Sequence, residues 1–347
     1  MEISAPFLRA CRRLPVERTP VWFMRQAGRY MPEYRAIREK YSLLEICSRP
    51  ELAAEVTLQP VHALGVDAAI LFADILLPAI PLGVGLEFAK GEGPVLQNPV
   101  RTLKDVRKLR PVSPEADLSY VLDAIRILRA ELAGIPLIGF CGAPFTLASY
   151  LVEGGVSRDF LKTKAMIYSA PEVWHALMEK LAVVLSDYLL AQIEAGAQAV
   201  QVFDSWVGAL NPADYVEFVQ PYSRQVLQAA QATGVPVIHF GTGNATLLPA
   251  MKAAGGTVLG LDWRIPLDAG WKLVGYDVAV QGNLDPAVLF APLPEIKKRV
   301  GDILERANSR PGHIFNLGHG ILEHTPVENV RAVVEMVHDF SGERATA

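Results

Sequence analysis

The chain has 347 residues, and 33 lysines and arginines against 37 aspartates and glutamates give it a formal net charge of −4. Hydrophobic residues make up 51% and charged residues 20% of the sequence, which excludes a mainly disordered or fibrous protein and predicts a large core. The mildly acidic balance argues against general binding to nucleic acid or to a membrane surface, because both require a basic excess. The length fits either two average domains or one large barrel domain.

Eight short apolar or β-branched runs recur along the chain, and each is typical of a strand buried on both faces. In chain order the predicted strands are residues 20–24, 67–72, 135–140, 197–203, 235–240, 257–261, 278–281 and 313–317. Helical periodicity lies between them, in residues 50–64, 171–195, 212–233, 286–306 and 326–340. Strands that alternate with helices predict a parallel sheet.

Eight such units favour closure of the sheet into a (β/α)₈ TIM-type barrel with inserted loops and extra helices. The alternative is an open, doubly wound sheet, which loses support because no G-x-G-x-x-G follows the first predicted strand. The sequence has no composition break, long linker or low-complexity tract. We therefore expect residues 1–347 to form a single catalytic barrel domain.

Cysteine usage and hydropathy suggest a cellular location. Cys11, Cys47 and Cys141 are odd in number and widely spaced, which predicts neither a disulfide framework nor a thiolate zinc site and favours the cytoplasm. No apolar run near the N-terminus resembles a signal peptide. Residues 69–86 are almost wholly apolar, but Asp74 and several prolines and glycines inside this stretch argue against a membrane helix.

Polar and glycine residues follow most of the predicted strands, at the strand end where barrel enzymes carry their chemistry. They are Arg25-Gln26-Ala27-Gly28-Arg29, Asp74, Cys141-Gly142-Ala143-Pro144-Phe145-Thr146, Asp204-Ser205-Trp206, His239 with Gly241, Asp262, Gly282-Asn283 and Gly318-His319-Gly320. Such residues also mark the places where strands leave a core. As a set, however, they predict a polar pocket at one end of the barrel.

Arginines give this pocket a predicted ligand class. Residues 12–40 contain eight basic and three acidic side chains, a net charge of +5, so the remaining residues carry −9. Guanidinium groups stay charged and offer paired donors that match carboxylates and phosphates. Arg25 and Arg29, in a glycine-containing loop, therefore indicate a polyanionic ligand. Arg35 and Arg38 are interpreted as a solvated basic surface or as partners of Glu33 and Glu39.

Four further side chains are candidates for the same pocket. Asp74 is a lone carboxylate in an apolar stretch, so it either has a structural arginine partner or serves a ligand with N–H groups or developing positive charge. His319, between two glycines, could bind a carboxylate or a carbonyl. Tyr150 could offer its hydroxyl or be an ordinary core residue, and Ser205 has no adjacent base that would make it a nucleophile. The residues thus predict a barrel enzyme that binds a small polyacid.

Two long segments and several short motifs resemble the uroporphyrinogen decarboxylase family. The long segments are Pro20-Val-Trp-Phe-Met-Arg-Gln-Ala-Gly-Arg-Tyr-Met-Pro-Glu-Tyr-Arg35 and Gly139-Phe-Cys-Gly-Ala-Pro-Phe-Thr-Leu-Ala-Ser-Tyr150. The short ones are Phe72-Ala-Asp-Ile75, Phe203-Asp-Ser-Trp206, Gln281-Gly-Asn-Leu-Asp-Pro286 and Asn316-Leu-Gly-His-Gly320. They follow the order of the family over nearly the whole chain.

This resemblance implies a homodimeric (β/α)₈ carboxy-lyase of haem biosynthesis that uses no metal or organic cofactor. Such an enzyme removes carbon dioxide from the four acetate side chains of uroporphyrinogen III and so forms coproporphyrinogen III. The resemblance also implies substrate binding by nine residues, of which Arg25, Arg29, Asp74 and Tyr150 would be catalytic. The nine are Arg25, Gln26, Ala27, Gly28, Arg29, Asp74, Tyr150, Ser205 and His319.

Two other protein classes are compatible with these motifs. Zinc-dependent methyltransferases are similar to this family, but they hold zinc with a His-x-Cys pair and a later cysteine. Here the corresponding stretch is His239-Phe240-Gly241, and no cysteine follows Cys141. The second alternative is a tetrapyrrole carrier without activity, which the presence of Asp74 disfavours.

Overall fold

The computed structural model describes residues 4–89 and 93–345, in which nine strands form two sheets. The strands are β1 (Ala69–Ile70), β2 (Leu86–Ala89), β3 (Gly93–Leu96), β4 (Leu137–Gly142), β5 (Ala199–Asp204), β6 (Val237–Gly241), β7 (Val258–Gly260), β8 (Ala279–Gln281) and β9 (His313–Ile314). β1 and β4 to β9 form one parallel sheet in chain order, whereas β2 and β3 form a separate antiparallel hairpin. The hairpin was not predicted.

The parallel sheet is closed by the segment that was predicted to be the first strand. Val21 forms a parallel bridge with Phe315, and the Phe315 N–H donates to the Pro20 carbonyl at 2.9 Å. On the other side the Asp67 N–H donates to the Val21 carbonyl at 2.8 Å. Because Pro20 has no N–H, its side of the ladder is incomplete, and this segment is a bridge rather than a regular strand. The predicted (β/α)₈ barrel is otherwise confirmed.

Helices surround the sheet, and most of the predicted ones are present. The α-helices are α1 (Pro6–Cys11), α2 (Pro32–Arg38), α3 (Leu43–Cys47), α4 (Pro50–Leu64), α5 (Leu103–Lys108), α6 (Pro114–Asp117), α7 (Ser119–Glu131), α8 (Pro144–Glu153), α9 (Leu161–Ser169), α10 (Pro171–Ala195), α11 (Pro212–Phe218), α12 (Gln220–Gln231), α13 (Leu248–Ala254), α14 (Leu267–Val274), α15 (Leu293–Ala307) and α16 (Val327–Ala345). Short 3₁₀ helices span Leu77–Ala79, Val207–Ala209 and Pro286–Phe290.

Prolines explain where single predicted helices are divided. The predicted helix over residues 212–233 consists of α11 and α12, and Pro221 lies in the first turn of α12, where its missing N–H is tolerated. The predicted helix over residues 286–306 begins as a 3₁₀ helix, and α15 starts after Pro292. Helices α4 and α10 match their predicted bounds.

The barrel interior contains a buried polar layer. The Trp22 indole N–H donates to Gln281 Oε1 at 2.9 Å, and Gln281 Nε2 donates to Gln201 Oε1 at 3.0 Å. Phe203 lies two residues beyond Gln201 on β5, so alternation places both side chains on the inner face. The layer above the glutamines is therefore aromatic.

The two ends of the chain meet at the barrel seam. The Asp67 carboxylate accepts hydrogen bonds from the Val21 N–H at 2.8 Å, from Arg18 at 2.9 Å and from His338 Nε2 of α16 at 2.8 Å. Burial opposes ionisation of Asp67, but the hydrogen bonds from His338 and Val21 and the charge of Arg18 lower its pKa overall. These bonds hold the bridge segment, β1 and the last helix together.

Two arginines of the basic segment lie far from the predicted pocket. Arg12 donates to the Gly234 carbonyl, just before β6, and Arg13 donates to the Asp277 carbonyl, just before β8, each at 3.0 Å. Both contacts are at the amino ends of the strands. In the described part of the chain, none of the helices is both long enough and apolar enough to cross a membrane.

Candidate active site

A cavity of about 560 Å³ opens at the carboxyl ends of the strands. Its floor is formed by Phe140, Phe203 and Phe240 from β4, β5 and β6, which pack edge to face with ring centroids 5.4 and 6.0 Å apart. Phe88 and Pro94 from the unpredicted hairpin form part of the wall. The volume is in the range of small-molecule sites, and the floor offers an apolar surface to a flat or cyclic ligand.

Eight of the nine predicted site residues line this cavity. They are Arg25, Ala27, Gly28, Arg29, Asp74, Tyr150, Ser205 and His319. They come from five regions that are far apart in sequence, and the parallel strands bring them to one rim. Residues that were selected because they follow predicted strands thus lie together at one cavity.

Gln26 is the exception, because its side chain is fully buried and does not line the cavity. Its Oε1 accepts the Phe23 N–H, and its Nε2 donates to the Ala68 carbonyl, each at 3.1 Å. The Tyr30 hydroxyl donates to the backbone carbonyl of Gln26 at 2.7 Å. Gln26 was expected to contact the ligand, but its side chain points into the core. There its hydrogen bond to Ala68 connects the arginine loop to the residue before β1.

Arg25 has an unusual backbone, with φ of 60°, in the left-handed region that few residues other than glycine adopt. Its side chain lies over Gly320, where an added Cβ would be 2.7 Å from Arg25 Cγ. A glycine is therefore needed at position 320 for the guanidinium to cross the loop. Strained conformations of this kind cluster at functional sites, since the surrounding structure must hold them.

Arg29 lies at the rim and forms an ion pair with Glu323 at 3.2 Å. The two side chains are 60% and 50% exposed, so this pair is weak and open to exchange. Arg35 donates to the backbone carbonyls of Arg29 and Tyr30 at 3.0 and 2.9 Å. The interpretation of Arg35 as merely a surface residue is incomplete, because it holds the arginine loop.

Arg38 corrects the sequence interpretation more strongly. It was assigned to a solvated surface, but it lines the cavity from the end of α2 and donates to the Tyr41 carbonyl at 2.6 Å. Tyr34, one turn earlier on the same helix, also lines the cavity and packs on Phe72 with centroids 5.3 Å apart. Helical spacing of Tyr34 and Arg38 was the available signal. The cavity therefore has three arginines in its walls.

Asp74 follows β1 and is half-buried in the cavity wall. One carboxylate oxygen accepts the Leu76 N–H at 2.8 Å. Burial raises the pKa of Asp74, although this N–H and the charge of Arg25 partly offset the effect. Within residues 4–89 and 93–345 no arginine forms an ion pair with Asp74. The alternative that Asp74 is the structural partner of an arginine is therefore not supported. The carboxylate is left to accept donors from a ligand.

Tyr150 and Ser205 face the cavity from two different elements, α8 and the end of β5. The Tyr150 ring packs against Trp206 with centroids 3.8 Å apart. Burial, and next the charge of Asp74, raises the pKa of Tyr150 above its ordinary value. Its hydroxyl therefore stays protonated and can donate a hydrogen bond to a bound carboxylate.

His319 is held as a neutral donor. Its Nδ1 accepts the Gly320 N–H at 2.7 Å, so in the neutral ring the proton is on Nε2. Burial, followed by the charge of Arg25, lowers the pKa of His319 to about 4. At neutral pH the Nε2–H can therefore donate to a carboxylate without adding charge.

His239, expected with the strand-end residues, points away from the cavity. Phe240 faces inward, so alternation along β6 turns His239 outward to the helix layer, where it is fully buried. Burial lowers its pKa to about 4. Among the residues that the structure describes, no group of three or more His, Cys, Asp or Glu side chains is placed to hold a metal ion.

The fold and cavity define a class of protein: a (β/α)₈ barrel with a polyanion pocket of arginines above an aromatic floor. The profile of the family described as uroporphyrinogen decarboxylase (URO-D) matches residues 4–340. A protein named uroporphyrinogen decarboxylase from Carboxydothermus hydrogenoformans is 60% identical over 336 residues, 96% of each chain. One of the same name from Sorangium cellulosum is 62% identical over 335 residues, again 96% of each chain. The chain belongs to the uroporphyrinogen decarboxylase family.

A solved structure supports the fold independently. A methyltransferase from Methanosarcina mazei superimposes with a TM-score of 0.78, covering 97% of this chain and 98% of that chain. The two sequences are 21% identical. A likeness at this level concerns the barrel and its connections, not the chemistry.

Proposed function

We propose that this protein removes carbon dioxide from the four acetate side chains of uroporphyrinogen III and so forms coproporphyrinogen III. One observation carries the proposal beyond family membership. Asp74, a carboxylate that has no ion-pair partner among the described residues, lies in an aromatic-floored cavity whose walls contain three arginines. This combination fits a ligand with carboxylates at its edge and N–H donors at its centre.

Substrate binding follows from the distribution of these groups. The macrocycle would lie on the floor formed by Phe140, Phe203 and Phe240. Arg25, Arg29 and Arg38 would bind its peripheral carboxylates, because guanidinium groups match carboxylates with paired donors. His319 Nε2–H would add a neutral donor. The pyrrole N–H groups point to the centre of the ring, where Asp74 can accept them.

The chemical step requires an electron sink. Protonation of a pyrrole carbon makes the ring cationic; the bond to the carboxylate then breaks, carbon dioxide leaves, and the electron pair neutralises the ring. The side-chain carbon finally takes a proton and becomes a methyl group, and the pyrrole carbon releases the proton that it had gained, so that one proton is consumed for each carbon dioxide released. The Asp74 carboxylate stabilises the cation more than the neutral ring, and this difference lowers the barrier.

Proton delivery is assigned to Arg25 through water that it orders. An arginine is itself a poor acid at its normal pKa, so the ordered water would relay a proton from solvent and would not take one from the guanidinium. Tyr150 and Ser205 would orient the acetate that reacts, since both line the cavity and Tyr150 lies close enough to Asp74 to feel its charge.

The decisive test is anaerobic incubation of the protein with uroporphyrinogen III, with chromatography of the products by carboxylate number. We expect intermediates with seven, six and five carboxylates, followed by coproporphyrinogen. Substrate that binds but keeps all its carboxylates would instead indicate a tetrapyrrole carrier. Stoichiometric, tightly bound zinc in the purified protein would favour methyl-transfer chemistry.

We further infer that the chain forms one catalytic domain, that it acts as a homodimer and that it works in the cytoplasm. The family resemblance supports the dimer, and three free, buried cysteines in the described residues fit a reducing compartment. Light scattering on the purified protein, at several concentrations, tests the dimer. A mass that stays at that of one chain would contradict it.

A further inference from the structure

A buried polar cluster lies behind the cavity wall and has no part in the proposed chemistry. Asp204 is the last residue of β5 and is fully buried, whereas its neighbours Phe203 and Ser205 line the cavity. Alternation therefore directs Asp204 outward, to helix α8. There the Thr146 hydroxyl, also fully buried, donates to Asp204 Oδ1 at 3.0 Å.

Thr146 makes a second contact through the same oxygen. Its Oγ1 accepts the Trp206 N–H at 3.4 Å, which fixes the turn that contains Ser205. A hydroxyl can donate once and accept twice, so one threonine serves both partners. Thr146 thus connects the first turn of α8 to the end of β5 at two points.

Tyr150 completes a closed ring of contacts. It lies four residues after Thr146 on α8, so the two side chains share one face of the helix. The Tyr150 ring packs on Trp206, and Trp206 also packs on Phe160 at 5.0 Å. The cluster therefore joins Tyr150 and Ser205 from behind, through Thr146 and Trp206.

Burial of the Asp204 carboxyl is unfavourable in free energy, which suggests that this side chain has a specific role. Asp204 Oδ2 is buried and has no hydrogen-bond partner in the described structure, and burial raises the pKa of Asp204 to about 7 although the Thr146 bond opposes the shift. Apolar residues of similar volume often stabilise a protein as well as or better than a buried charged group. Retention of a carboxyl here is explained by the geometry that it imposes.

We propose that Thr146 and Asp204 are positioning residues that set the placement of Tyr150 and Ser205 in the cavity wall. This inference rests on the proposed function, in which those two side chains orient the reacting acetate. Neither Thr146 nor Asp204 contacts the cavity itself. Their removal should therefore affect the chemical step more than substrate binding.

The test compares Thr146→Val, which keeps the shape but loses both hydrogen bonds, with Thr146→Ser, which keeps the hydroxyl. Thr163→Val is the matched control, because the buried Thr163 hydroxyl donates to the Glu153 carboxylate at 2.8 Å and lies outside the cavity lining. We expect Thr146→Val to lower kcat about tenfold with KM within about twofold of wild type, as for loss of a group that acts mainly in the transition state. Thr146→Ser should recover most of kcat.

Asp204→Leu removes the other partner, and the double variant with Thr146→Val should be no slower than the worse single variant, because the two residues act as one unit. A kcat for Thr146→Val within about twofold of the Thr163→Val control would overturn the proposal. So would a crystal structure of Thr146→Val in which Tyr150 still stacks on Trp206 as in the wild type. The crystal structure tests the positioning role whether or not the protein turns over its substrate. Absence of turnover in the wild-type protein would refute the proposed function and not this inference.

Discussion

The ion pair between Arg29 and Glu323 predicts that substrate binding is weakened by the protein's own carboxylate. Both side chains line the cavity, and their contact of 3.2 Å uses a guanidinium nitrogen that a substrate carboxylate also needs. Replacement of Glu323 by glutamine keeps the size of the side chain but removes the charge. We therefore expect Glu323→Gln to bind the octacarboxylate substrate more tightly.

The exposure of the pair determines the magnitude. Side chains that are 60% and 50% exposed form ion pairs worth about 0.2–1 kcal/mol, a factor of about 1.4–5 in affinity. Repulsion between Glu323 and a substrate carboxylate about 7 Å away in water adds about 0.6 kcal/mol at low salt, a further factor of about 3. The KM of the first decarboxylation should fall about 4- to 15-fold at low salt, with little change in kcat.

The assay measures the initial rate of uroporphyrinogen consumption under anaerobic conditions at low and high salt. Glu295→Gln is the matched control, because Glu295 also forms an exposed pair, with Arg299 at 2.7 Å, but lies on α15 away from the cavity. The fall in KM should shrink at high salt as the charges are screened. A KM that rises in Glu323→Gln, or one equal to that of the control, would show that Glu323 positions Arg29 and does not compete for it.

Three other changes test the site and the seam. Asp74→Asn should fold normally but lose about 100-fold in kcat. A charge about 5 Å from the cationic ring contributes about 3 kcal/mol at an effective dielectric constant of about 20. Wild-type turnover in this variant would refute the electrostatic role of Asp74. Gly320→Ala should lower kcat about tenfold with a nearly unchanged melting temperature, because the new Cβ displaces the flexible Arg25 side chain and not the backbone. Unchanged kinetics would contradict the position of the Arg25 side chain over Gly320. Asp67→Ala should destabilise the fold by about 1–3 kcal/mol at pH 7, since it leaves the buried Val21 N–H and the His338 contact without an acceptor, whereas the half-exposed Arg18 keeps its hydration. Because the pKa of Asp67 is lowered in the fold, its contribution is complete above the ordinary pKa of aspartate and is lost as the pH falls through the lowered value; urea unfolding of both proteins should therefore converge in acid.

The part of the site that could be predicted depends on strand ends. A parallel barrel brings the residue after each strand to one rim, so Asp74, Ser205 and His319 could be found without knowledge of any contact. The arginine loop was found by its charge and by the family signature. The aromatic floor was also accessible, because Phe203 alternates with the buried Gln201 along β5.

The remaining features depend on backbone direction and on contacts between distant segments. Gln26 lies between two cavity residues in sequence, yet the left-handed turn at Arg25 sends its side chain into the core. Arg38 reaches the cavity only because α2 folds back over the rim, and Glu323 does so through a loop beyond the last strand. The helical spacing of Tyr34 and Arg38 shows that they share a face of α2 but not where that face points, and Glu323 has no local pattern. Both placements depend on the closure of the whole barrel.

The net charge of +5 in residues 12–40 is distributed over the whole molecule and does not act as one patch. Arg12 and Arg13 bind carbonyls at the amino ends of the strands, and Arg18 binds Asp67 at the seam. Only Arg25, Arg29 and Arg38 face the cavity, where Asp74 and Glu323 offset two of their charges. Affinity for a polyacid therefore depends on a small local excess of positive charge in the cavity. Removal of the single carboxylate of Glu323 should change binding measurably for this reason, whereas the net charge of the whole chain should have little influence on binding.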